Sequence, residues 1–144
     1  MQVAELLKRK GHEVATIQPE ATVAVAVETL RAWKVGALVV TSDSTTIEGI
    51  VSERDIVRAL GGPHRTLLDQ MVRSIMTTEV FTCSPTDRVE QLMALMTSER
   101  IRHLPVQADG ELKGIVSIGD VVKTRLTELE NEARLMEEYI HHGR

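Results

Sequence analysis

The feature that most constrains this chain is that it repeats itself. Val14-Ala-Thr-Ile-Gln-Pro19 lies over Val80-Phe-Thr-Cys-Ser-Pro85 at an offset of 66 residues. At the same offset Val23 pairs with Val89, Leu38 with Leu104, Val40 with Val106 and Asp43 with Asp109. After a one-residue gap, Gly49-Ile-Val-Ser52 matches Gly114-Ile-Val-Ser117, with Asp55 over Asp120 and Val57 over Val122. Thirteen identities in about forty-four aligned positions are far more than chance supplies. A unit of roughly 45–50 residues buries too little surface to stand alone, so the two are expected to pack face to face about a pseudo-twofold axis.

Each unit alternates between the two hydrophobic periods. Residues 14–18 and 80–84 are short β-prone runs, each closed by a proline that cannot donate to a ladder. Helices follow. In the second unit Asp87 is the expected cap, with Glu90 three residues on and Val89, Leu92, Met93 and Met96 on one stripe; in the first, Thr22 caps and Val23, Val27 and Leu30 form the stripe. Gly36 is expected to close the first of these helices. Two apolar runs then make a hairpin in each unit, 37–41 with 47–52 and 103–107 with 112–117, the second turning at Asp109-Gly110. A last helix opens after Ser52 and after Ser117, the first ending near Gly61-Gly62-Pro63 and the second running long. The fold class is therefore α+β, two tandem β-α-β-β-α repeats with an extended C-terminal helix. Residues 1–66 hold the N-terminal helix and first repeat, 67–126 the linker and second repeat, and 127–144 the helical extension.

Composition narrows the function classes. At 144 residues and 42% hydrophobic, the chain needs neither disulfide nor metal to build a core. Aromatic residues make up 2%, namely Trp33, Phe81 and Tyr139, too few for base-stacking platforms. Seventeen basic against 21 acidic residues, net −4, argue against a broad basic face for nucleic acid or anionic lipid. Cys83 is the one cysteine and reads as a buried apolar residue, which suits a reducing cytoplasm. No apolar run approaches the length that spans a bilayer, and no secretory h-region follows Met1, so a soluble cytoplasmic protein is expected.

The order of elements, the closing prolines and the strings Gly49-Ile-Val-Ser-Glu-Arg-Asp55, Arg102-His-Leu-Pro-Val106, Gly114-Ile-Val-Ser-Ile-Gly-Asp120 and Val72-Arg-Ser-Ile-Met-Thr77 resemble the tandem cystathionine-β-synthase (CBS) domain pair, or Bateman module, of the stand-alone bacterial type. The resemblance covers about residues 1–126. It implies an adenine nucleotide or related adenosyl ligand bound between the two units, and regulation rather than catalysis.

The residues support that expectation on their own chemistry. Ser52 and Ser117 sit where a strand ends and a helix begins, a place whose free N–H groups favour an anion. Asp55 and Asp120, three residues on, can accept from both vicinal hydroxyls of a ribose. The competing reading is a capping box, serine and acid serving only the helix. Arg102 and His103 begin a strand at the cleft edge, within reach of a phosphate; the competing reading is a solvated arginine and a structural histidine. Their counterparts Gly36 and Ala37 carry no charge, so the two clefts are expected to differ. The cleft of Arg102, His103, Ser117 and Asp120 is the expected phosphate site, and that of Ser52 and Asp55 depends on Arg54 or Lys34. Thr16 and Thr82, at matching strand ends, are candidates for base or ribose contact and are equally good strand formers.

The last helix carries Val122, Leu126, Leu129, Ala133, Met136 and Ile140 at alternating spacings of four and three, a seam that needs a partner. The candidates are Val3, Leu6 and Leu7 of the first helix, the helix's own module, or a second copy in a homodimer. No P-loop, nucleophile elbow or dinucleotide fingerprint occurs, and the histidines His12, His64, His103, His141 and His142 form no ligand spacing. The expected function is a non-enzymatic sensor, without metal or catalytic cofactor, of AMP, ADP, ATP or NAD, concerned with energy sensing and signalling to an unidentified protein target. A constitutive dimeric scaffold without a small-molecule ligand is the alternative, and an enzyme using a nucleotide as cofactor a third.

Overall fold

A computed structural model describes residues 1–62 and 66–143. Pro63 and His64, named above, lie outside the described residues. The elements run α1 (Val3–Lys10), β1 (Thr16–Ile17), α2 (Val23–Trp33), β2 (Ala37–Val40), β3 (Gly49–Ser52), α3 (Glu53–Leu60), two 3-10 turns at Leu67–Asp69 and Val72–Ser74, α4 (Val89–Glu99), β4 (His103–Ala108), β5 (Glu111–Ser117) and α5 (Ile118–His142). The α+β architecture and long last helix match the expectation.

In the first unit β1 runs parallel to β2, and β2 antiparallel to β3. In the second only β4 and β5 form a ladder, and the expected strand over 80–84 shrinks to one parallel bridge between Cys83 and Val106. One residue explains the difference. In the first unit the Val39 N–H donates to the Ala15 carbonyl at 3.1 Å. The equivalent of Val39 is Pro105, which has no N–H, so the rung at Phe81 has no donor. The next rungs survive, Cys83 N–H to Pro105 O at 3.0 Å and Gln107 N–H to Cys83 O at 2.8 Å.

Hairpin and helix ends also separate repeated residues by role. Asp109 and Gly110 have φ of 54° and 76° and make the tight turn between β4 and β5. Asp43, its repeat partner, instead orders the longer β2–β3 loop, accepting from the N–H groups of Thr45 (2.9 Å) and Thr46 (2.7 Å) and from the hydroxyls of Thr41 and Thr46. Those bonds, Thr46 first, hold its carboxyl far below the usual range. Gly36 does not close α2. Lys34 does, in the left-handed region at φ 55°, and Arg100 closes α4 at the same angle. Thr22 caps α2, its hydroxyl accepting from Val25 N–H at 3.3 Å. Asp87 does not cap α4; it closes the preceding turn on Ser84 N–H at 2.8 Å, while Gln91, not Glu90, reaches back to Arg88 N–H. The buried stripe of α2 is Val23, Ala26 and Leu30, and Val27 is left 40% exposed.

Two aliphatic cores result, and the chain crosses between them. One contains Ile17, Val23, Leu30, Leu38, Val40 and Val51, together with Leu67 and Val72 from the linker. The other contains Val89, Leu92, Met96, Leu104, Val106 and Val116, together with Val3, Leu6 and Leu7 of α1. The N-terminal helix, grouped with the first repeat by sequence order, thus packs in the core of the second, and the linker packs on the first. The crossings are equivalent down to their hydrogen bonds. Val3 and Ala4 donate to the carbonyls of Asp87 (2.8 Å) and Pro85 (2.9 Å), as Val72 and Arg73 donate to those of Ala21 (2.8 Å) and Pro19 (3.0 Å). Leu38 and Leu104, one per unit, are fully buried, and truncating either to Ala costs about 2–5 kcal/mol.

From α5 only Val121 is fully buried. Val122, Leu126, Leu129, Met136 and Ile140 are 43–67% exposed, so the seam finds no cover along the described chain beyond its first turn.

Candidate functional site

Both helices that follow the hairpins begin the same way, because a serine in extended conformation ends each strand and an aspartate stands three residues into the helix. Ser52 Oγ accepts from Asp55 N–H at 3.2 Å while Asp55 Oδ2 accepts from Ser52 N–H at 2.8 Å. Ser117 and Asp120 repeat this at 3.2 and 2.9 Å. The capping box is therefore real in both units, and at Asp120 it also brings the carboxylate to the wall of a cavity.

What meets the carboxylate differs between the units. At Asp55 the Thr77 hydroxyl donates to Oδ1 at 3.1 Å, and the Thr77 N–H donates to the Ile50 carbonyl at 2.9 Å. At Asp120 the Lys10 ammonium takes both roles, donating to Oδ2 at 2.5 Å and to the Ile115 carbonyl at 2.7 Å. The lysine and aspartate side chains are 28% and 25% exposed. Burial pushes the Asp120 carboxyl up, but the Lys10 ammonium and the Ser117 N–H outweigh it and hold the group below its usual value.

Around this pair lies a cavity of about 370 Å³ between the units. Gly36, Ala37, His103, Ser117 and Asp120 all line it, joined by Lys10, Glu13 and Trp33. His103 packs against Gly36, where a Cβ would lie 3.2 Å from the ring. Burial, and then the Lys10 charge, push its imidazole below the ordinary value, so the ring is neutral at pH 7. A larger groove of about 650 Å³ between α2 and α3 shares Lys34, Val35 and Gly36 with the cavity; Val27, Leu30, Ile56 and Val57 make it mainly apolar, with Arg31 and Glu53 also on its walls and, of the candidate ligand residues, only Lys34 and Gly36.

The remaining candidates are dispersed. Arg102 is exposed and outside the cavity lining, so it does not join His103, Ser117 and Asp120 there. Arg54 Nη1 donates to the Arg100 carbonyl at 2.8 Å, tying α3 to the end of α4. Ser52 and Asp55 stay with Thr77 in the first unit. Thr16 is half-buried in β1 opposite Val39, and Thr82 is exposed beside the missing rung. Sequence reasoning missed Lys10 and Thr77. Lys8, Arg9 and Lys10 end an amphipathic helix, where basic residues ordinarily complement the dipole, so nothing singled out the one that reaches Asp120. Cys83 is buried in the second core, and burial, with Asp87, pushes its thiol up to about 12. Among the described residues no group of three or more His, Cys, Asp or Glu is placed to hold a metal ion, and no helix is long and apolar enough to cross a membrane.

The CBS-domain family model matches twice, at residues 3–62 and 72–126. A mitochondrial CBS-domain-containing protein of Arabidopsis thaliana is 35% identical over 149 residues, covering 98% of this chain and 72% of its own length. Among solved structures, a CBS-domain-containing protein of Agrobacterium tumefaciens is 45% identical with a TM-score of 0.83, covering 87% of this chain and 99% of its own. A CBS-domain protein of Pyrobaculum aerophilum, solved in complex with AMP, is 31% identical with a TM-score of 0.74, covering 83% and 89%.

Proposed function

The chain belongs to the CBS-domain family, whose pairs are regulatory modules, and from that premise we propose that it senses an adenosine-containing nucleotide in the cleft of Asp120. One observation carries this reading: Lys10, His103, Ser117 and Asp120 converge with Gly36 and Ala37 on a single cavity between the repeats. The chemistry suits a ribonucleotide. Asp120 offers oxygens to the ribose hydroxyls, Lys10 a cation to phosphate, and Gly36 the room in which His103 seats on the cavity wall. At about 370 Å³ the cavity sits near the low end of the range of about 300–1,000 Å³ usual for ligand sites, which favours a mononucleotide such as AMP over NAD. The relative in complex with AMP points the same way. Occupancy then alters the packing of the repeats, by no more than the ligand's differential affinity for the two arrangements, and changes the surface offered to a protein target. No catalysis is assigned, and the setting is cytoplasmic.

The exposed seam of α5 is assigned to a homodimer, since a second copy would cover Leu126, Leu129, Met136 and Ile140. Leu126→Glu with Met136→Glu should convert a dimer into a monomer by light scattering.

The complete capping boxes at Ser52–Asp55 and Ser117–Asp120 favour a second reading, a scaffold in which the aspartates serve only their helices. Calorimetric titration with AMP, ADP, ATP and NAD separates the two. A sensor binds at least one of them, and a scaffold binds none.

A further inference from the structure

The two carboxylates differ in what a ligand must displace. At Asp55 the competing donor is the neutral Thr77 hydroxyl, which can turn to another acceptor at little cost. At Asp120 it is the Lys10 ammonium, held at 2.5 Å on a side chain that is 28% exposed. A ribose that takes both oxygens of Asp120 removes that partner, and parting a largely covered ammonium from the carboxylate it is bonded to is costly. Lys10 also donates to the Ile115 carbonyl, which is neutral and cannot replace the lost charge. Burial and then the Lys10 charge push the His103 imidazole on the same cavity below its ordinary value, and although Lys34 also lines the cavity, Lys10 is the lysine bonded to Asp120.

We propose, building on the nucleotide-sensing reading above, that Lys10 is the specificity-determining residue of the Asp120 cleft and that it selects a phosphorylated nucleoside over the nucleoside itself. A phosphate gives the displaced ammonium a new anion inside the same cavity, whereas adenosine takes Asp120 from Lys10 and offers nothing in return. The exchange also gives ligand binding a mechanical consequence. Lys10 is the last residue of α1, whose Val3, Leu6 and Leu7 lie in the second core, so moving its side chain from Asp120 to a phosphate loosens or tightens the end of a helix that joins the chain's start to its second repeat. Asp55, with the Thr77 hydroxyl in place of the lysine, carries no such demand for charge.

The test is calorimetric titration of AMP and of adenosine into the wild type, Lys10→Met and Lys10→Arg, each checked for a cooperative melt. The wild type should prefer AMP by about tenfold or more, the scale of a charged hydrogen bond. In Lys10→Met the AMP affinity should fall by about that factor while adenosine binds as well as before or better, and Lys10→Arg should keep the preference. If Lys10→Met retains the wild-type ratio, or both affinities fall together, the inference is overturned while the nucleotide reading stands. If the wild type binds neither AMP nor adenosine nor any other adenosine nucleotide, the nucleotide reading falls and takes this one with it.

Discussion

Gly114 lies directly beneath Leu7, so that a Cβ built on it would come within 2.8 Å of Leu7 Cδ2. Gly49, its repeat partner, stands in the same relation to Met76, at 2.8 Å from Sδ, and to the Thr77 carbonyl, at 2.9 Å. Both glycines admit the segment that crosses from the other unit. Added methyls here overpack the site, which typically costs about 1–3 kcal/mol. Gly49→Ala should cost more than Gly114→Ala, because it meets the Thr77 backbone carbonyl as well as Met76, whereas Gly114 meets side-chain atoms of Leu7 alone. Urea unfolding of the two variants measures the difference.

The caps give a second, smaller effect. Ser52→Ala and Ser117→Ala each remove the acceptor for one helix N–H, and each should lower stability by about 1 kcal/mol without changing the far-UV circular dichroism. A loss several times larger would mean that the serines hold more than their own helices.

Stability should depend on pH through His103. Its folded imidazole lies below the ordinary value because burial disfavours the cation, whereas the unfolded imidazole takes a proton near pH 6.5. The unfolded state therefore binds more protons first, and the stabilisation present above about pH 6.5 is lost as pH falls towards the folded value. Asp120, also lowered in the folded state, adds a second loss further into acid, below about pH 4. Unfolding free energies from pH 7 to 5 should decline, and His103→Gln should flatten that decline.

Cys83, with its thiol pushed up to about 12 and its side chain in the second core, should ignore a thiol reagent in the native protein. At pH 8 only about one thiol in ten thousand would be ionised. One equivalent should react in guanidinium chloride. Rapid labelling of the native protein would show that the second core opens locally.

The repeat, the hairpins and the capped helices were legible because each is written in local residues: alternating aliphatics, Asp109-Gly110, and Ser followed by Asp three places on. The crossing of α1 and the linker was not. Its two copies share an apolar pattern, Val3, Leu6 and Leu7 against Val72, Ile75 and Met76, but at an offset of 69 residues rather than 66, and nothing local in that pattern says which unit the segment packs on. The missing rung at Phe81 was readable in principle, since Pro105 replaces Val39, but only once the pairing of the two strands is known. Gly36 misled because glycine commonly ends helices; here it makes room for His103, and Lys34 bears the left-handed turn. Of the candidate ligand residues, Gly36, Ala37, His103, Ser117 and Asp120 share one cavity. Arg102 was grouped with them by adjacency to His103, but it lies in the exposed bend before β4 and outside the cavity lining.

The most direct test of nucleotide sensing is a thermal melt of the wild type and of Asp120→Ala across an AMP titration. A ligand of the native state at 100 times its dissociation constant adds about 2.7 kcal/mol, worth several degrees in a domain of this size. The expected result is a rise of that order in the wild type and none in Asp120→Ala, whose own melt without nucleotide stays cooperative. An equal rise in both proteins, or none in the wild type with AMP, ADP, ATP or NAD, would contradict it.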